Sequence, residues 1–291
     1  MEPMNSTDDR RKKTISKLDS IGSLGFIPKI MFDVTQLIKS EPGNAIKLAG
    51  TISKDLGLTT KVLTIANSPL YGLTRKVSSL EFALILMGAE EIVQIVTAVS
   101  LSDAIKFRST EKFNYMDYWK HSMIVGASAK DIARRVGFSD LSGEAFLVGM
   151  LHDVGIQLIA KYFIDEFYEI LSLVKSGEVF LNAEKKALGL THQEIGRYLA
   201  QKWKLPDTLA EALEYHHVPS LAAQSSVLSA IVHLADSMTQ EFKIGSCYWD
   251  DDIYFDVAIT DILGFNSAEK MAAFVADYQE TFKEAAAAIK L

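Results

Sequence analysis

Six histidines in 291 residues fall mostly beside acids or beside one another. His152 directly precedes Asp153 in Leu151-His-Asp-Val-Gly155, His216 and His217 are adjacent, and His233 lies three residues before Asp236. Imidazole nitrogen and carboxylate oxygen together suit a borderline divalent cation, nitrogen supplying affinity and oxygen charge. The candidate donors are His121, His152, Asp153, His192, His216, His217 and Asp236, separated by 31, 1, 39, 24, 1 and 19 residues. Gaps of that size exclude a single-helix motif, so the donors must converge from several helices, as in metal sites at the core of helical bundles. Seven donors fit two ions better than one, and two ions roughly 3.5–4 Å apart clamp a phosphate and activate a water. Iron, manganese, nickel and zinc all accept such a set. Spacing leaves a second reading open, in which burial and hydrogen bonding alone explain the histidines. His233, inside Ile231-Val-His-Leu-Ala-Asp236, suits the support of a ligand better than ligation.

Adjacent donors are a constraint on the elements around them. Neighbours on a helix point about 100° apart and do not chelate together, but a helix end can aim both inward. Gly155 follows one doublet and Pro219 the other, placing both near breaks. Elsewhere breakers are scarce, with six prolines and 17 glycines, and the apolar spacing is helical. The first half reads as helices with short breaks, ending in a long one from about Ala89 to Lys106. Asn67-Ser-Pro-Leu-Tyr-Gly72 reads as a turn whose Leu70 and Tyr71 pack inward, with partner binding as the alternative, and Ser78-Ser79 is the N-cap of the next helix. The second half predicts helices over 119–136, 142–151, 165–176, 181–188, 192–202, 205–215 and 225–242, with Trp119 and Trp203 in the core. A loop over 244–256 is expected to hold a brief extended piece from Asp252. One amphipathic helix then spans 267–290, with Phe274, Tyr278 and Phe282 on its core side. The charged residues 1–14 read as a disordered tail.

Composition narrows the class. The net charge of -7 gives no general support for nucleic-acid binding. The lone Cys247 makes no intramolecular disulfide and points to a reducing compartment. Residues 1–13 lack the apolar core of a signal peptide, and no apolar run of roughly 18 residues reads as a membrane span. A cytoplasmic protein is expected, with no membrane partner.

Several segments resemble a known family. Leu151-His-Asp-Val-Gly155 looks like the HD motif of metal-dependent phosphohydrolases. Ile27-Pro28, Ala66-Asn-Ser-Pro-Leu-Tyr-Gly72, Val77-Ser-Ser-Leu80 and Ala83-Leu-Ile-Leu-Met-Gly88 resemble the first half of the HDOD domain, the HD-related output domain of bacterial signalling proteins. His192-Gln-Glu-Ile-Gly196, Trp203-Lys-Leu-Pro206 and Tyr215-His-His-Val-Pro219 are similar to its second half. The resemblance covers about 18–240. It implies an all-α fold in which an N-terminal helical subdomain, 15–110, packs on an HD-like helical bundle, 111–243, leaving 244–291 outside the resemblance. It implies a regulatory role and another signalling protein as partner. By analogy with HD-GYP relatives, Asp153 would bridge two divalent metals, one completed by His121, His152 and Asp236, the other by His192, His216 and His217. Two features of those relatives are missing. Ile156 stands where they carry a phosphate-contacting lysine, and Val218-Pro-Ser-Leu221 replaces the GYP signature. Hydrolysis of a phosphate-containing small molecule is therefore the second functional expectation, for which Lys161 or Arg197 would have to supply the positive charge.

Overall fold

The computed structural model describes residues 7–244 and 255–288, and within these it is all-α, with no strand. The first half contains α1 (Thr7–Ser20), α2 (Lys29–Ser40), α3 (Ala45–Ile52), α4 (Leu56–Ala66), α5 (Leu80–Met87) and α6 (Ala89–Ala104). The bundle follows as α7 (Tyr115–Arg135), α8 (Ser142–Leu151), α9 (Val154–Tyr162), α10 (Ile164–Lys175), α11 (Phe180–Leu188), α12 (His192–Lys202), α13 (Asp207–Tyr215) and α14 (Ser226–Glu241). Then come α15 (Ile259–Ile262), α16 (Ala268–Ala276) and α17 (Gln279–Ala288). One apolar core runs through all of it, from Leu18 to Ala285, and includes Trp119 and Trp203.

The first half joins the bundle through α6, which packs on α2, α4 and α5 on one side and α8 on the other. Two polar staples fix it. Lys61 of α4 pairs with Asp103 of α6, which accepts from the Tyr115 hydroxyl of α7 at 2.7 Å. At the other end of α6, Glu91 pairs with Lys130 of α7 and accepts from the Tyr71 hydroxyl at 3.2 Å. Tyr71 belongs to the Asn-Ser-Pro-Leu-Tyr-Gly turn, which is structural as expected. Asn67 closes it by donating to the Leu63 and Val77 carbonyls and accepting from the Val77 N–H, and Gly72 takes a left-handed φ of 63°. Ser79 caps α5 through the Phe82 N–H.

Four expectations need correction. The charged tail is helical from Thr7, because it has a surface to dock on: Arg10 donates to the Ala187 carbonyl, Thr14 Oγ1 to that of Leu188, and Leu18 enters the core. That docking needs Gly189, whose φ is +72° and where a Cβ would lie 2.3 Å from the Arg11 nitrogen. Residues 154–162, given no element from sequence, form α9. The expected helix 267–290 is two helices broken at Asp277-Tyr278, a bend that lets the Tyr278 hydroxyl reach Asp131 of α7 at 2.7 Å while its ring meets Phe274 and Phe282. Finally, Ser139–Tyr162 does meet the length and apolarity of a membrane-crossing helix, but 89% of its apolar window is buried within the fold. Cys247 and most of the expected 244–256 loop lie outside the described residues.

Candidate metal centre

The site is assembled where helices end. α7 and α8 approach backbone to backbone at Gly126 and Gly149, since a Cβ on Gly149 would sit 2.7 Å from the Gly126 Cα. His121, five residues before one glycine, thereby meets His152, three after the other, with their Nε2 atoms 3.1 Å apart. α8 stops at Leu151 and α9 begins at Val154, so His152 and Asp153 occupy the break and both side chains point inward. The first turn of α9 rests on the start of α12: a Cβ on Gly155 would be 2.1 Å from the His192 carbonyl oxygen. His192 opens α12 behind a capping box in which Thr191 accepts from the Glu194 N–H and Glu194 from the Thr191 N–H. His216 and His217 follow the end of α13, and Asp236 projects from α14.

All seven predicted donors converge, and each is at most 1% exposed. They divide into two groups whose potential ligand atoms lie within 4.8 Å of one another: His121, His152 and Asp236, and Asp153, His192, His216 and His217. Asp153 faces both. Its Oδ2 is 3.5 Å from His121 Nε2 and 3.3 Å from His152 Nε2, while its Oδ1 is 3.5 Å from His192 Nε2 and 3.9 Å from His216 Nε2. Asp236 Oδ1 completes the first group at 3.3 Å from His121 Nε2.

The outer ring nitrogens of His152 and His216 are already occupied. Nδ1 of His152 donates to the Gly149 carbonyl at 2.8 Å and that of His216 to the Leu213 carbonyl at 2.7 Å. These bonds place the neutral-ring proton on Nδ1 and leave the Nε2 lone pairs facing the centre. Among the described residues, His216 Nε2 and Asp236 Oδ1 are buried there with no hydrogen-bond partner. Inward lone pairs, shared carboxylate oxygens and buried polar atoms without hydrogen bonds are what divalent cations would satisfy, so the residues fit the implied metals. His233 is no ligand. Its Nδ1 donates to the His216 carbonyl and its Nε2 accepts from the Asp256 N–H, so it steadies the backbone of a ligand.

The charges are strongly coupled. Burial opposes protonation of His152, yet the Asp153 and Asp236 carboxylates outweigh it and hold this ring at about 9. Burial, reinforced by the charges on His152 and His192, pushes His216 down to about 3, so it stays neutral. Asp153 and Asp236 remain ionised despite burial, because histidines surround them.

One residue in contact with the cluster was missed. Glu184 of α11 is fully buried and accepts from the His192 N–H at 2.9 Å and from His192 Nδ1, with its carboxylate oxygens 2.9 and 3.1 Å from that nitrogen. A signal existed: Phe180, Ala183, Glu184 and Ala187 form one buried stripe at helical spacing, and the acid occupies an apolar position in it. Lys161 and Arg197, suggested as sources of positive charge, are engaged with other partners. Lys161 donates to the Lys106 carbonyl and Arg197 pairs with Glu214.

An all-α protein with a buried histidine–aspartate cluster at helix breaks is an HD-type domain. The HDOD domain family model matches residues 24–219, and the chain belongs to that family. Its fold is shared by an HDOD domain protein of unknown function from Geobacter sulfurreducens, with TM-score 0.76, 24% identity, and 97% and 98% of the two chains covered. A Shewanella amazonensis protein provisionally named a phosphohydrolase aligns with TM-score 0.71 and 23% identity over 95% and 98%. A Marinobacter aquaeolei protein provisionally named for signal transduction aligns with TM-score 0.68 and 18% identity over 97% and 68%. At these identities the likeness establishes the fold. An uncharacterised Treponema pallidum protein is 21% identical over 238 residues, and the chain spans 45% of the length of that relative.

Proposed function

We propose that this chain is a regulatory output module whose histidine–aspartate cluster holds two divalent cations as a structural or sensing centre. The observation that carries this reading is the disposition of Asp153, whose two oxygens address the two donor groups inside a site closed to solvent. His121, His152 and Asp236 would hold one ion, and His192, His216 and His217 the other. Burial of every donor favours a retained centre over one open to substrate. The replacement of the phosphate-contacting lysine by Ile156, itself buried, points the same way. The partner is another signalling protein in the cytoplasm, and apolar side chains exposed on the first half, such as Phe32, Ile46 and Ile85, suit its contact surface.

The second reading is a metal-dependent phosphohydrolase acting on a nucleotide or other phosphoester. The full donor set favours it. Bound cations would supply electrophilic charge to a phosphate, while the chain's own residues fix the donors and exclude water. Elemental analysis of the wild type beside Asp153→Ala tests both. The variant is expected to lose most of its metal with the helical signature retained, and unchanged occupancy would overturn the shared site. Turnover across a nucleotide panel that tracks metal content would replace the first reading by the second.

A further inference from the structure

The two donor groups differ in charge. The first contains Asp236 and shares Asp153, whereas the second consists of three imidazoles and the shared Asp153 alone. Among the described residues, the ring nitrogens facing away from the site bond to neutral groups in His152 and His216, namely backbone carbonyls, and Thr239 Oγ1 lies 3.4 Å from His121 Nδ1. His192 backs onto a carboxylate, that of Glu184. The same carboxylate grips the His192 backbone N–H, so ring and main chain are held by one group.

We infer that Glu184 is the positioning residue of the His192 half-site, supplying from behind the charge that Asp236 supplies directly to the other half. The inference rests on the metal-centre reading above. A carboxylate accepting from Nδ1 fixes the ring orientation, keeps Nε2 as the donor and makes it more basic. Glu184 lies at the centre of the buried stripe of α11, and α11 is held against α1. The His192 half-site is therefore braced by elements remote from His121, and the two halves should respond separately to damage.

The test is calorimetric titration of metal-free full-length protein with Mn2+ or Zn2+, comparing wild type, Glu184→Gln and Glu184→Asp. Glu184→Gln keeps size and one acceptor but removes the charge. One of the two binding events should weaken by about 10- to 100-fold, the scale known for such outer partners, while the other stays within about twofold. Glu184→Asp should recover part of the loss if charge matters beyond packing. A second reading needs no metal: the Nδ1 proton of His192 should appear far downfield in the wild-type NMR spectrum and move in Glu184→Gln. Equal weakening of both events, or unchanged binding in Glu184→Gln, would overturn the inference while leaving the metal centre standing. A wild type that takes up no metal would overturn both together.

Discussion

The half before residue 110 and the bundle after it share one apolar core but use their interiors differently. In the first half the few buried polar groups, such as Lys61, serve to attach α4 and the Asn-Ser-Pro turn to α6 and α7. The apolar excess lies outside, with Ile46, Leu56 and Ile85 each more than three-quarters exposed. The bundle instead places six histidines, two aspartates and Glu184 in its centre and has backbones touching at glycine to make room. Burying that many titratable groups is costly unless each has a partner. The bundle is shaped around a polar site, and the first half is a helical frame with an outward apolar face.

Glycine-to-alanine substitution in each region tests that contrast. Gly155→Ala forces a methyl into the His192 carbonyl, and overpacking of this kind costs roughly 1–3 kcal/mol. We expect thermal denaturation to show a fall of several degrees, with metal lost from the His192 side; an unshifted midpoint would mean that the α9–α12 contact is loose. The next effect concerns protons. His152, held at about 9, is protonated at pH 7 in the metal-free protein, and a cation needs its Nε2 lone pair. Uptake at pH 7 should therefore expel a proton, and affinity should climb with pH, about tenfold per unit for one proton, and level off near 9. Calorimetry in buffers of different ionisation enthalpy reads this directly, and uptake without proton release would break the description of His152. The smallest effect is expected at Gly50 of α3, where a Cβ meets nothing within 4 Å. Gly50→Ala should raise stability by about 0.5–1 kcal/mol. A loss there would place hidden crowding in the first half.

Much of this was legible in the residues. The helix ends at Gly72, Ser79 and the Thr191–Glu194 cap follow local chemistry, and both donor doublets stand at breaks as Gly155 and Pro219 suggested. What escaped depends on long-range contact. Residues 7–14 are too polar to be helical by pattern, and order there comes from α11 and α12. The bend at Asp277 answers to Asp131, far away in sequence. Glu184 escaped because an acid on a helix ordinarily faces water, and only its company on the stripe showed otherwise.

The docking of α1 has a consequence for the order of folding. Arg11 meets Glu194, and Asp19 accepts from the Tyr198 hydroxyl at 2.6 Å, across 183 and 179 residues respectively. During synthesis at roughly 5–20 residues per second, α1 waits on the order of 10–35 s for its partners to emerge. Contacts this distant in sequence also slow folding, because the loop must close before they form. Made well before its partners, α1 is thus among the last of these helices to settle, and it settles against the turn that carries His192.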